Sequence, residues 1–248
     1  MTAAVLLLAL LGGWEAYARL SGIDEFVLPA PTAIAAAFHD DRALLWSNFT
    51  VTAGEIGFGM LVAIVLGLAC AVAMHFNGAL RRALYPLLVG SQTIPIVLVA
   101  PLLVAWWGFG PTPKLAIVAL VCFFPIVVPT LDALDRVDAD LRKLMRTFGA
   151  SRWQTFRMVE APAAMPGVLT GAKLSVAIAA IAATLAELAA SDAGLGNLML
   201  KAIPQFQTAR AFAAVLILSV FSVALFALLA LAERRLLPWA HQPKGTAP

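Results

Sequence analysis

Ala211-Phe-Ala-Ala-Val-Leu-Ile-Leu-Ser-Val-Phe-Ser-Val-Ala-Leu-Phe-Ala-Leu-Leu-Ala-Leu-Ala232 runs for 22 residues without a charge, a proline or a glycine. A hydrocarbon core about 30 Å thick needs roughly 20 apolar residues at a helical rise of about 1.5 Å each. This stretch is therefore long enough to span a bilayer. Five more resemble it: Ala3–Leu20, Thr52–Met74, Pro86–Trp107, Lys114–Leu131 and Met165–Ala190. The six together hold 129 of 248 residues, about half the chain. Hydrophobic residues make up 62% of the chain and charged residues 12%, against about 25% charged in a soluble domain. That is too little charge to cover a water-soluble globule, and disorder needs the opposite composition. Alternating ten-residue segments, which would mark a membrane barrel, are absent. The reading is an all-α membrane protein of one domain with six transmembrane helices.

The first span starts after Met1-Thr2-Ala3-Ala4, which lacks the basic n-region of a signal peptide. It is expected to be a retained helix. Basic residues orient the bundle. Arg81, Arg82, Arg136, Arg142, Lys143, Arg146, Arg152, Arg157, Arg234, Arg235 and Lys244 fall on one side, 11 of 17 Lys and Arg. Arg19, Arg42, Lys114, Lys201 and Arg210 fall on the other, and Lys173 lies inside the fifth span, where it can snorkel toward the near surface. The split predicts both termini in the cytoplasm. The charge of +3 is small, its basic residues serve topology, and nucleic acid is not an expected partner. Cys70 and Cys122 both sit in apolar runs, so no disulfide framework is expected.

Several positions inside or beside the spans are candidates for function. Pro86, Pro95, Pro101, Pro125 and Pro129 interrupt spans three and four. In a membrane such prolines are tolerated where neighbours or a water-filled cavity satisfy the freed carbonyls. Ser91, Gln92 and Thr93 stand beside Pro95 and form a possible flexing lining of a translocation path; static kinks are the alternative. Glu15 and Glu55 lie near predicted outer ends and are expected to be interfacially exposed. Glu187 precedes Ser191-Asp-Ala-Gly194-Leu-Gly196 by one turn, and a gate or an interhelical hydrogen bond are both open to it. Between the first two spans, Leu28-Pro-Ala-Pro31 is a stiff extended stretch. Thr32 is expected to cap a short helix, with Ile34, Phe38, Leu45 and Phe49 at roughly helical spacing along an interfacial segment or a plain connector.

The loop Asp132–Pro162 is the most informative segment. Asp138–Phe148 and Arg152–Val159 read as two short amphipathic helices meeting at Gly149-Ala150-Ser151. Gly149 suits a left-handed helix terminus and Ser151 the next N-cap. Trp153 and Phe156, three apart and flanked by Arg152 and Arg157, form an expected exposed aromatic pair suited to a groove on a partner protein. The competing reading lays the same face on the bilayer. No Gly-Lys dipeptide occurs, so the chain lacks a phosphate-cradling loop. Spans three, four and six hold no charge beyond Lys114, unlike the midplane sites of an ion-coupled secondary transporter, the main alternative. His39, His75 and His241 fall at span ends or in loops, which leaves an intramembrane hydrolase without its groups.

The loop resembles the signature of permease subunits of binding-protein-dependent ABC importers, Glu-Ala-Ala-x3-Gly-x9-Ile-x-Leu-Pro. Gly149 fits the glycine and Val159-Glu-Ala-Pro162 the end, while Lys143-Leu-Met145 replaces the Glu-Ala-Ala triplet. Leu28-Pro-Ala-Pro31, Gln92-Thr-Ile-Pro95, Ala100-Pro-Leu-Leu103, Trp107-Gly-Phe-Gly110, Phe124-Pro125, Gly194-Leu-Gly196 and Leu236-Leu-Pro-Trp239 extend the resemblance over Leu28 to Trp239. They resemble the branch that serves nitrate, sulfonates, taurine and thiamine pyrimidine precursors. The end, Gln205-Phe-Gln-Thr208 through Leu237-Pro-Trp239, looks most like permeases for pyrimidine precursors or riboflavin. That makes such a compound the expected substrate and a sulfonate, taurine or nitrate the alternative. The resemblance implies a type I ABC importer permease (MetI-like) fold in the bacterial plasma membrane and no enzymatic activity in this chain. It implies a second permease copy, two ATPase subunits that bind ATP and magnesium, and a periplasmic or lipid-anchored solute-binding protein. It makes Gly149, Ala150, Ser151, Arg152, Trp153, Phe156, Arg157 and Pro162 the coupling loop docked on the ATPases. It implies no cofactor or metal in this chain.

Overall fold

The computed structural model describes residues 2–241, and every regular element among them is helical. In chain order these are α1 (Thr2–Leu20), α2 (Pro31–Asp40), α3 (Arg42–Phe76), α4 (Gly78–Ser91), α5 (Ile96–Trp107) and α6 (Pro111–Asp135), followed by α7 (Ala139–Thr147), α8 (Arg152–Thr155), α9 (Ala161–Ala190), α10 (Leu195–Ala202) and α11 (Thr208–Leu236). Four helical runs are long and apolar enough to cross a membrane: α3, α6, the run Arg152–Ala189 and α11. Counting α4 and α5 as one broken span makes five. α1 covers the first predicted span as a helix of 19 residues.

Three elements outside the coupling loop differ from the sequence expectation. Arg42–Val51, expected in the connector, forms the first turns of α3, because Leu45 is buried there against Ile34, Leu195, Leu198, Ala213 and Ala214. α2 begins at Pro31, a position where a missing N–H costs nothing. Thr32 does not cap it; its hydroxyl and N–H bond the Glu15 carboxylate at 2.8 and 3.1 Å. The third predicted span is not one kinked rod. It breaks between Ser91 and Ile96, with a bend of 102°. Pro95 disfavours a helical Ile94 and lacks an N–H itself. The Ser91 and Thr93 hydroxyls donate to the carbonyls of Leu88 and Gly90, at 2.7 and 2.8 Å, and so close the end of α4. Pro86 and Pro101 are accommodated inside α4 and α5.

α3, α6 and α9 form the centre. Their shared core includes Ile56, Ile117, Val118, Cys122, Ile126, Val176, Ala179 and Ala183. In lipid, helices gain little from hydrophobic exclusion and rely on close packing through small residues. The alanines of α9 serve that purpose, and Gly171 takes it furthest: a Cβ there would lie 2.5 Å from the Pro125 carbonyl oxygen. Ser175 reinforces the contact by donating to the carbonyls of Cys122 and Gly171 at 3.2 and 3.0 Å. Gly171→Ala is therefore expected to lose about 1–3 kcal/mol of stability through overpacking. Gly57→Ala, which meets open space, is expected to be neutral or slightly stabilising. Thermal unfolding of the detergent-solubilised chain compares them, and equal melting of the two would contradict the close α6–α9 approach.

Candidate functional site

The loop between α6 and α9 forms the first site. The Asp138 carboxylate accepts from the Asp140 N–H at 2.8 Å and starts α7. Gly149 has φ of +73°, and the Ala150 N–H reaches back to the Met145 carbonyl at 3.0 Å. A side chain at Gly149 would be strained by that left-handed backbone. Ser151 and Gln154 then form a reciprocal cap: Gln154 N–H to Ser151 Oγ at 3.2 Å, Ser151 N–H to Gln154 Oε1 at 2.7 Å.

The second loop helix is not a separate rod as expected. α8 passes through one π turn, Phe156–Glu160, closed by the Ala161 N–H on the Phe156 carbonyl, and continues into α9. The register slip falls just before Pro162 and accommodates, inside the continuous run, the hydrogen bond that this proline cannot donate. A displacement of α8 is thereby a displacement of the end of α9.

The aromatic pair is also corrected. Trp153 is 58% exposed, but Phe156 is only 8% exposed. Phe156 packs on Phe76 at 5.1 Å between centroids and on His75 at 6.0 Å, with Trp153 stacked over it at 5.4 Å. Phe156 anchors the loop to the end of α3, and Trp153 is its outward half. The exposed apolar face instead includes Leu141, Leu144 and Phe148 on one side of α7, with Met158 beyond. Their three- and four-residue spacing is the sequence signal for this stripe.

Polar groups fasten the same joint. The buried Glu160 carboxylate meets His75 Nε2 at 2.9 Å and Arg142 at 3.8 Å. Arg152 donates to the His75 carbonyl at 3.1 Å and lies over the Phe76 ring. Arg81 grips Asp135 with two hydrogen bonds, at 2.6 and 3.1 Å. None of His75, Asp135 or Glu160 stood out in the sequence, because their partners lie far along the chain. Arg157 points outward and is exposed.

The residues proposed for a path or gate fall in two places. Ser91, Gln92, Thr93 and Pro95 lie exposed at the α4–α5 break. Ser91, Gln92 and Pro95 line a cavity of about 490 Å³ with Val99, Leu120 and Val121. Glu187 is elsewhere, fully buried where α3, α9 and α10 meet. Its carboxylate accepts from the Thr52 hydroxyl at 2.5 Å and from the N–H groups of Gly196 and Asn197 at 2.6 and 3.3 Å. Thr52 Oγ accepts from the Leu195 N–H at 2.9 Å, and the Asn48 side chain accepts from the Gly194 N–H at 2.7 Å. Four successive amides at the start of α10 are thus satisfied by side chains of α3 and α9. Gly194, at φ +116°, admits this carboxylate: a Cβ there would stand 2.2 Å from the Glu187 carboxyl carbon.

Glu55 is not interfacially exposed as expected. It is buried and paired with Lys114, whose ammonium also donates to Ser191 Oγ at 2.9 Å. Glu15 is partly exposed and bonded to Arg19 and Thr32. Lys173 does not snorkel freely but pairs with Glu233 of α11 at 2.6 Å.

Apolar helices around a close-packed centre, with a glycine-hinged basic loop leading straight into one of them, describe the membrane part of a transport machine. Residues 63–238 match the family of binding-protein-dependent transport system inner membrane components, and the chain belongs to it. It is 36% identical over 227 residues to the formylaminopyrimidine transport permease protein ThiX of Halalkalibacterium halodurans, covering 91% of this chain and 90% of that one. It is 35% identical to the riboflavin transport system permease protein RibX of Chloroflexus aurantiacus, covering 95% and 88%. It is 27% identical to the taurine transport system permease protein TauC of Escherichia coli, covering 94% and 87%. The fold is shared with a chain in the crystal structure of an amino acid ABC transporter with histidines. There the TM-score is 0.65 at 17% identity, over 81% of this chain and 97% of that one. The protein is a multi-pass inner-membrane permease subunit of an ABC importer and not an enzyme. Its family works with a separate ATPase subunit and a solute-binding protein. The ion-coupled secondary transporter is set aside.

Proposed function

We propose that two copies of this chain form the translocation path, with two ATPase subunits beneath them that bind ATP and magnesium and a solute-binding protein above. The six spans named from the sequence, with both termini cytoplasmic, put the α7–α8 loop on the ATPase side. The observation that carries the reading is the continuity of α8 with α9 together with the clamp of Phe156 and Glu160 on the end of α3. When ATP draws the ATPases together, a loop held this way moves α3 and α9 with it. ATP and the loaded binding protein favour different states of the path and so bias the exchange between them. The proposed substrate is a thiamine pyrimidine precursor or a riboflavin-like compound, in keeping with ThiX and RibX as the more similar of the relatives compared. A sulfonate, taurine or nitrate is the second reading, supported by TauC.

Reconstitution tests this. Vesicles holding the permease, its ATPase and its binding protein are expected to take up formylaminopyrimidine or riboflavin with ATP, and the permease alone to hydrolyse none. Uptake of taurine only would move the substrate to the second reading. For topology, a cysteine at Ala150 is expected to be shielded from an impermeant thiol reagent in whole cells, and one at Thr112 to react. Labelling at position 150 would overturn the orientation.

A further inference from the structure

At the basic end of the bundle, a cavity of about 360 Å³ opens between the end of α3, α7, α8 and the π turn. His75, Arg142, Arg146, Arg152 and Glu160 line it. Its carboxylates are already engaged: Asp135 by Arg81, Glu160 by His75 and Arg142. The guanidiniums of Arg142, Arg146 and Arg152 line the cavity, and with Arg81 on Asp135 they make four against the two carboxylates of Asp135 and Glu160, a surplus of two positive charges. Donors are also left over. Arg142 is largely engaged, Nη2 with the Val137 and Asp135 carbonyls and Nη1 toward Glu160, and only its buried Nε lacks a hydrogen-bond partner. The Arg146 guanidinium has no side-chain partner among the described residues.

We infer that this cavity binds a phosphate-bearing anion, held by Arg142, Arg146 and Arg152. Guanidinium forks match phosphate oxygens in bidentate geometry, and such charge-assisted bonds are the stronger class of hydrogen bond. The cavity exceeds what a phosphate fills, so an ester substituent can be accommodated. It lies where α3 and α6 end, the level of a lipid headgroup, and basic pockets between spans at the cytoplasmic surface suit anionic headgroups. A phospholipid phosphodiester and a free phosphate share this chemistry. Either would bridge α7, through Arg142 and Arg146, to α8, through Arg152. The bound anion would span the Gly149 hinge and fix the angle between the two loop helices.

The test uses the full chain in detergent, titrated with phosphatidylglycerol and, separately, with inorganic phosphate, and read by native mass spectrometry. Wild type is expected to bind, and Arg146→Gln to bind about tenfold more weakly for one lost charge-assisted contact. Arg146→Lys should recover part of the affinity. Lys143→Gln removes the same charge from the same helix, but from an exposed pair with Asp140, and should bind like wild type. Phosphate that displaces the lipid shows one pocket with shared chemistry. Lipid binding without competition assigns the site to the lipid, and phosphate binding alone assigns it to a soluble ester. Equal binding by wild type and Arg146→Gln, or an equal loss in Lys143→Gln, overturns the inference. So does normal binding of both probes by Arg146→Gln when that variant loses its ATPase. Arg146 would then face an acidic side chain of the ATPase.

Discussion

Glu187→Ala is expected to undo the junction of α9 and α10 and to abolish transport. The alanine leaves the N–H groups of Gly196 and Asn197, and one bond of the Thr52 hydroxyl, without an acceptor in a fully buried place. Buried polar groups left unpaired cost about 1–3 kcal/mol each, so the loss from three of them is roughly 3 kcal/mol or more. That is a large share of a typical stability of about 5–15 kcal/mol. Glu187→Gln keeps an oxygen for the amides and gains an amide N–H for Thr52 Oγ, and should lose much less. Gly194→Ala should be as severe as Glu187→Ala, since its Cβ would occupy the carboxylate's place and its backbone is strained for any side chain. Thermal unfolding in detergent and uptake in vesicles decide the matter. Wild-type melting of Glu187→Ala would show that α10 does not depend on this cap.

The second large effect separates the outward and inward halves of the loop. Truncating Phe148 and Trp153 to alanine removes exposed aromatic anchors. It strips the outer stack from Phe156 but leaves the contacts of Phe156 with Phe76 and His75 and of Glu160 with His75 in place. Each anchor is worth about 2 kcal/mol or more in a desolvated groove, roughly thirty-fold in affinity. The double variant is expected to insert and melt normally yet lose its ATPase subunits on purification. Phe156→Ala acts differently. It opens a cavity against Phe76 and His75 and should cost about 3–5 kcal/mol, visible as lower melting and protease-sensitive loop residues. A pull-down of the ATPase alongside a melting curve distinguishes the two. Equal ATPase recovery by wild type and the Phe148, Trp153 double variant would show that the outward face lies on lipid.

Much of this was legible before the structure because it depends on local rules. Apolar run length marked the chain as a bundle of apolar helices, four of them long enough to cross a bilayer, since a bilayer of fixed thickness demands it. The left-handed Gly149 and the capping Ser151 followed from backbone sterics within a few residues. The missing phosphate loop removed ATP hydrolysis from this chain. Where reading went astray, local patterns had more than one outcome. Pro86, Pro95 and Pro101 look alike in sequence, but only Pro95, with the hydroxyls of Ser91 and Thr93 closing the helix before it, breaks the span. Pro162 closes the loop signature in sequence, but the π turn before it lets the helix run on.

The tertiary structure alone decided where the charges and aromatics go. Glu55, Lys114, Glu160 and Glu187 are placed by partners from other helices: Lys114 is 59 residues beyond Glu55, and Thr52 stands 135 before Glu187. Phe156 turned inward because Phe76 and His75 offered a cleft, while Phe148 had none and stayed out. The sequence by itself determined what the chain is made to cross and which loop carries its signature. Which side chains face each other across that loop depends on helix ends that are distant in sequence and meet only when α3, α6 and α9 pack, because burial and pairing are properties of the assembled helices and not of any one of them.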